Sequence, residues 1–193
     1  MILAERSVTE PVRVDLADIV VRLMRASDIE TVAKIQRESF SKIETWSPQS
    51  YVTELSNKSA AYRVAVHDDK VVGFGGIWTV MDEVHITILG VAVSHRGNRI
   101  GDLLLSELLI ASWDMGATRA TLEVRETNEA AQRLYARYGF IHVAIRKAYY
   151  SDNGENADIL WVNDMLSPEW RELFDTNRAA LGRGFHPPVG AFG

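Results

Sequence analysis

Arg96-Gly97-Asn98-Arg99-Ile100-Gly101, the stretch RGNRIG, decides how the rest of the chain is read. It follows an apolar run, Ile86 to Val93, that predicts a strand. It leads into Ile100 to Met115, whose pattern predicts a helix with Gly116 as its C-terminal glycine. A strand, a short basic loop bearing glycines and a helix start form a phosphate-binding layout. Such a loop turns successive backbone N–H groups to one side, and the helix N-terminus adds partial positive charge. One strand-plus-helix spacing downstream lies LEVRETNEAAQRLYARYGF, Leu122 to Phe140.

Outward from this centre, the elements follow from periodicity and punctuation. Upstream, Ile19 to Met24 reads as a first strand. Ser27 with Glu30 fits a capping box for a helix carrying Ile29, Val32, Ala33 and Ile35. Ser47-Pro48 starts a second helix over Gln49 to Leu55. Tyr62 to His67 and Val71 to Val80 flank Asp68-Asp69-Lys70 as a hairpin, and Glu83 to Val93 is the next strand. The glycine cluster Gly73 to Gly76 marks a bulge or close packing. Downstream, Arg119 to Arg125 is a strand and Asn128 to Tyr138 a helix closed by Gly139. Phe140 to Tyr150 and Ala157 to Asn163 are strands around the Asn153-Gly154 turn. Ser167-Pro168 opens a last helix to about Leu181. The order of elements predicts an α/β or α+β mixed sheet. The expected domain is residues 19–166, preceded by an arm, 1–18, and followed by a C-terminal helix and flexible tail, 167–193.

Composition bounds the function. At 193 residues, 47% hydrophobic and 24% charged, the chain suits one domain with a sizeable core. It has no cysteine, which removes disulfides, thiolate metal sites and cysteine nucleophiles together. The five histidines are scattered without HExxH spacing, so no metal is expected. No Walker loop or dinucleotide GxGxxG is present. No apolar run approaches a membrane span, and Glu5, Arg6 and Glu10 interrupt the start where a signal peptide would be apolar, so a cytoplasmic protein is expected. A net charge of −5 gives no basic footprint for nucleic acid and suits a basic peptide partner better. Asn57-Lys58-Ser59 is a chance sequon in this context.

These residues resemble the GCN5-related N-acetyltransferase (GNAT) superfamily, and within it the bacterial RimI-type enzymes, which acetylate the N-terminal alanine of a small-subunit ribosomal protein. The likeness runs from about Val21 to Val162. It is carried by WSPQSY (46–51), VAVSHRGNRIGDLLL (91–105), LEVRETNEAAQRLYARYGF (122–140) and RKAYYSDNGENADILWV (146–162). One position departs: the superfamily loop reads Gln/Arg-x-x-Gly-x-Gly/Ala, and Arg99 stands where its first glycine is usual. A side chain there either crowds a pyrophosphate and forces the backbone, or turns outward or onto a phosphate.

The resemblance implies a twisted mixed sheet with helices on both faces, splayed at its middle strands to admit acetyl-CoA. It implies that Leu89, Gly90 and Val91 present backbone to the pantetheine arm and thioester. Arg96, Gly97, Asn98, Arg99, Ile100, Gly101 and Asp102 would hold the pyrophosphate, and Asn128 would cap its helix and bond the cofactor arm. Glu123 would be general base and Tyr135 general acid, also touching the cofactor. Trp46, Tyr149 and Tyr150 would form the peptide wall. Each has a plainer reading. Glu123 is a strand residue paired with Arg125, and Tyr135 packs with Ala131, Leu134 and Tyr138 on one helical face. The three aromatic residues are rim packing. The implied reaction is direct transfer from acetyl-CoA to a protein α-amine. The alternatives are a small-molecule amine or lysine acetyltransferase, and a non-catalytic acyl-CoA-binding module, to which Arg99 points.

Overall fold

The computed structural model describes residues 12–40 and 45–184. Its strands are β1 (Val20–Leu23), β2 (Ala60–His67), β3 (Lys70–Val80), β4 (Glu83–Val91), β5 (Arg119–Arg125), β6 (Ile141–Tyr150) and β7 (Glu155–Val162). Its helices are α1 (Ile29–Ser39), α2 (Pro48–Glu54), α3 (Ile100–Asp114), α4 (Glu129–Arg137) and α5 (Pro168–Ala179). The strands form one sheet in the order β1-β2-β3-β4-β5-β7-β6. Every neighbouring pair is antiparallel except β4 and β5, which are parallel and joined through α3.

Local chemistry explains most element ends. Asp68 and Asp69 both take positive φ, at 48° and 60°, and close the tight β2–β3 hairpin. The Ser47 and Ser167 hydroxyls accept from the N–H groups of Ser50 and Trp170, three residues on, each followed by proline at the first helical position. Two expectations are corrected. The Ser27–Glu30 capping box is not the device used before α1. Asp28 ends a short 3-10 turn (Ala26–Asp28), and its carboxylate accepts from the Arg25 N–H at 2.7 Å and from the Arg22 guanidinium at 2.7 and 2.8 Å. The strand expected to reach Val93 stops at Val91, because Val93–His95 turns as a 3-10 helix.

The sheet is covered on both faces. On one, Val32 and Ile35 of α1 and Tyr51 of α2 pack on Tyr62, Val64, Phe74 and Ile88. On the other lies α3, buried almost throughout, against Ile77, Ile86 and Leu122. The glycine cluster is a place of close packing, from α3 and from within the sheet itself. A Cβ on Gly75 would stand 2.7 Å from Leu108 of α3, and one on Gly76 would collide with the Tyr62 ring. The register also shifts at Gly76/Ile77.

The last helix and the end of the arm join this body. Trp170 and Phe174 of α5 lie in the same core cluster as the sheet and α3, stacked at 5.3 Å, with Trp113 at 5.4 and 4.8 Å. The Trp170 indole donates to the Tyr138 carbonyl at 2.8 Å. Val14 and Leu16 pack beside Ile19, Ala65 and Leu181. The rest of the expected arm, 1–11, and of the tail, 185–193, lies outside the described residues. Among the described residues no helix is long and apolar enough to cross a membrane.

Candidate active site

β4 and β5 pair over three positions only, Glu83↔Arg119, Val84↔Ala120 and His85↔Thr121. Beyond His85 they part. Here β4 carries a bulge: its register to β3 steps from Ile77↔Ile86 to Gly76↔Ile88, leaving Thr87 as the extra residue. Ile86 to Val91 therefore run beside β3 and leave the β5 side without a strand partner. The wedge opens into a cavity of about 560 Å³. That is the scale of a small-ligand site.

Glu123 projects into the cavity from β5. Its Oε2 lies 2.6 Å from His85 Nε2, and its Oε1 lies 2.9 Å from the Arg146 guanidinium on β6. The hydrogen bond to His85 is the main cause that holds its carboxyl below the ordinary glutamate value. Arg146 adds to this and burial opposes it. Glu123 does not pair with Arg125, as the plainer reading expects. Arg125 turns to Asp152 and Glu155 (both 2.9 Å) and lies 3.8 Å over the Tyr150 ring. Hydrogen bonds from Thr127 and Arg125 hold Glu155 down to about 2.

Tyr135 lines the same cavity from α4, its ring 5.7 Å from Phe140. Burial pushes its phenol above the ordinary tyrosine range. Asn128 caps α4, its side chain accepting from the Ala131 N–H at 3.2 Å, and also lines the cavity. Trp46, Tyr149 and Tyr150 line it too. Trp46 sits 5.9 Å from Trp78, and the tyrosines meet edge to face at 5.1 Å. Trp78 is fixed by its indole N–H, which donates to Glu54 at 2.6 Å.

On β4, Leu89 lines the cavity. A Cβ on Gly90 would stand 2.8 Å from Phe74 and 3.0 Å from Phe40, so backbone alone fits there. The Val91 carbonyl accepts from Arg96 Nε at 3.2 Å, and the same guanidinium donates to Ser39 at 2.9 Å.

The loop resolves the Arg99 departure. Gly97 has φ +82° and Arg99 φ +58°, so Arg99 holds a backbone in the left-handed region that favours glycine. Its side chain folds away to the Ala180 carbonyl at 3.1 Å and toward Asp102 at 3.5 Å. α3 then starts without a side-chain cap, and its first intrahelical bond is Leu103 N–H to Arg99 C=O. The N–H groups of Ile100, Gly101 and Asp102 in this first turn are the natural donors to an anion. Two side chains expected at a pyrophosphate are engaged elsewhere. Asp102 is buried and held by Arg137 through two bonds of 2.9 Å, and the Asn98 carboxamide is bonded to the arm.

Sequence reasoning missed His85, Arg146 and Trp78. The scattered histidines have no metal-ligand spacing, and spacing alone carries no sign of a base. Strand alternation was the signal available for His85, since it sets His85, like Leu89, at an odd position of β4. Among the described residues no group of histidines and carboxylates has the makings of a metal site.

The acetyltransferase (GNAT) family model matches residues 29–140. A Bacillus subtilis protein with the provisional name ribosomal protein bS18-alanine N-acetyltransferase is 40% identical over 143 residues, 74% of this chain and 93% of that one. The N-alpha-acetyltransferase RimI of Mycobacterium tuberculosis is 30% identical over 147 residues, 74% and 91% of the two chains. The crystal structure of the Escherichia coli ribosomal-protein-S18-alanine N-acetyltransferase superposes with TM-score 0.69 at 23% identity, covering 78% of this chain and 97% of that one. This last likeness bears on the fold.

Proposed function

The chain belongs to the acetyltransferase (GNAT) family and is an acetyl-CoA-dependent N-acetyltransferase, and from that premise we propose how it works and on what. The substrate is a protein α-amine, by likeness to the Bacillus subtilis relative the N-terminal alanine of a small-subunit ribosomal protein, modified in the cytoplasm. The observation that carries the reading is the His85–Glu123 pair at the point where β4 and β5 part, with Tyr135 on the wall of the same cavity.

Acetyl-CoA supplies the acetyl group as a thioester. The open backbone edge of Leu89 to Val91 and the first turn of α3 after Gly97 and Arg99 are suited to hold its pantetheine arm and pyrophosphate. The remaining task is to remove a proton from an α-ammonium, whose pKa is about 8. A carboxylate held below its ordinary value is a weak acceptor for that proton, and imidazole is a stronger one. An ionised Glu123 only accepts hydrogen bonds, so His85 Nε2 carries the hydrogen between them. His85 Nδ1 is then left to take the proton, directly or through water. Glu123 thus serves the proton transfer through His85, fixing which ring nitrogen carries the hydrogen and which is free to accept. Tyr135, kept protonated by burial, donates to the departing thiolate. No covalent enzyme intermediate is required.

Trp46, Tyr149 and Tyr150 form the peptide wall, with Arg125 holding Tyr150 in place. The test is coenzyme A release with peptides that carry both a lysine and a free N-terminal alanine, serine or methionine. A blocked-N-terminus control completes the panel. Turnover that needs the free N-terminus and is best with alanine supports the proposal. Turnover on the blocked peptide moves the target to lysine, and silence across the panel moves it to small amines.

A further inference from the structure

The loop that ends in Gly97 and Arg99 is held by both ends of the chain, through segments that lie outside the family-matched residues 29–140. From the N-terminal side, the Val12 N–H donates to the Ser94 carbonyl at 2.8 Å. The Asn98 carboxamide completes this joint in both directions. Its Oδ1 accepts from the Val14 N–H at 3.1 Å, and its Nδ2 donates to the carbonyls of Val12 at 2.7 Å and His95 at 3.0 Å. From the C-terminal side, Arg99 donates to the Ala180 carbonyl just past α5. Arg183 ties the two ends together, donating to the carbonyls of Leu16 at 2.9 Å and Ile19 at 2.7 Å.

The physical need for such a clamp is local. A non-glycine residue in the left-handed region is disfavoured by about 1–2 kcal/mol. Without outside contacts, Arg99 would draw the loop toward other conformations. A loop that must be reordered at each binding event binds more weakly than one already set. The two donors and the carbonyl of the Asn98 amide are engaged by the protein itself, so its side chain acts on the loop and not on a phosphate.

We propose that Asn98 is a positioning residue for acetyl-CoA, and that the arm segment Val12–Val14 is the part it works through. This inference rests on the acetyl-CoA reading above. The test uses the full chain with Asn98→Ala, Val12→Pro and both together. Val12→Pro removes the N–H that bonds Ser94 and loses only an exposed side chain. The readouts are the acetyl-CoA Kd by calorimetry, KM for each substrate, kcat, and hydrogen exchange of amides 94–102. Each single change is expected to weaken acetyl-CoA about fivefold to tenfold, the worth of about one hydrogen bond. The double variant is expected to be no weaker than the poorer single, because both break one joint. kcat at saturation and peptide KM stay unchanged, and exchange quickens in the loop alone.

The proposal is overturned if neither change alters acetyl-CoA affinity. It is also overturned if Asn98→Ala weakens binding while Val12→Pro does not, since Asn98 would then touch the co-substrate itself. Melting temperatures without co-substrate show whether each variant folds. If Asn98→Ala does not, the Val12→Pro result decides alone. Unaltered protein that binds no acetyl-CoA would sink the functional reading instead, a different outcome from binding that ignores the clamp.

Discussion

Replacing His85 by alanine tests the proposed base directly. The change deletes the imidazole that lies 2.6 Å from Glu123 and leaves the carboxylate with Arg146 at 2.9 Å, so Glu123 keeps a charged partner. One charge-assisted bond is lost at a half-exposed histidine, which limits the stability loss to about 1 kcal/mol. The activity loss is expected to be far larger. A positioned base contributes about 10²–10⁴-fold, so kcat/KM at pH 7 should fall at least about a hundredfold. The defect should shrink with pH. An α-amine of pKa about 8 is roughly one-tenth unprotonated at pH 7 and nine-tenths at pH 9. A variant without a base draws on that free fraction, so the deficit should narrow about tenfold across this range. Glu123→Gln should show the same narrowing, because an amide no longer dictates which His85 ring nitrogen carries the hydrogen. The assay is coenzyme A release from pH 6.5 to 9.5 with an alanine-first peptide, beside thermal unfolding. A His85→Ala enzyme with near-normal turnover at pH 7, or a deficit independent of pH, refutes the reasoning.

The remaining expectations are independent of that one. Tyr135→Phe should lower kcat about 10- to 100-fold with little change in either KM. Because burial raises the phenol, the unaltered enzyme should show no fall in kcat assignable to Tyr135 below about pH 10. Arg99→Gly relieves a left-handed non-glycine residue but loses the bond to Ala180, two effects of about 1 kcal/mol each in opposite directions. Its melting temperature should therefore move by only a few degrees. Asp102→Ala leaves Arg137 without its two bonds and opens a buried site at the start of α3, and should destabilise by about 2 kcal/mol in denaturant titration. On the acid side, Glu123 titrates below its ordinary value in the folded protein. Its ion pairs contribute stability above the unfolded carboxyl's pKa, and that stability is lost as pH falls through the folded value. Glu123→Gln should flatten this part of the acid unfolding curve.

How far the sequence could be read depended on the range of the interaction that settles each feature. Ser47, Ser167 and Asn128 cap helices through bonds to residues three positions on, and Asp68-Asp69 and Gly154 turn hairpins through their own φ. Such features are complete within a few residues of chain, so a short window contains their cause. The loop after β4 and the LEVR strand were legible for the same reason. The Arg99 departure was visible in the same way, but its backbone conformation and the direction of its side chain were not.

What the chain alone could not decide was the pairing of groups across the sheet. Arg125 is the charge nearest to Glu123 in sequence, yet Glu123 bonds His85, 38 residues away, and Arg146, while Arg125 bonds Asp152 and Glu155. That choice follows from register. His85 stands opposite Thr121 in the last pair before β4 and β5 part, which puts Glu123, two residues on and on the same face, diagonally across from it. Likewise Asn98 carries the composition of a phosphate loop, and only the folded chain shows it bonded to Val12 and Val14, 86 and 84 residues earlier. Caps and turns are written in local bonds. The partners of Glu123 and of the loop after β4 were set by which distant segments the packed sheet brought within a hydrogen bond's reach.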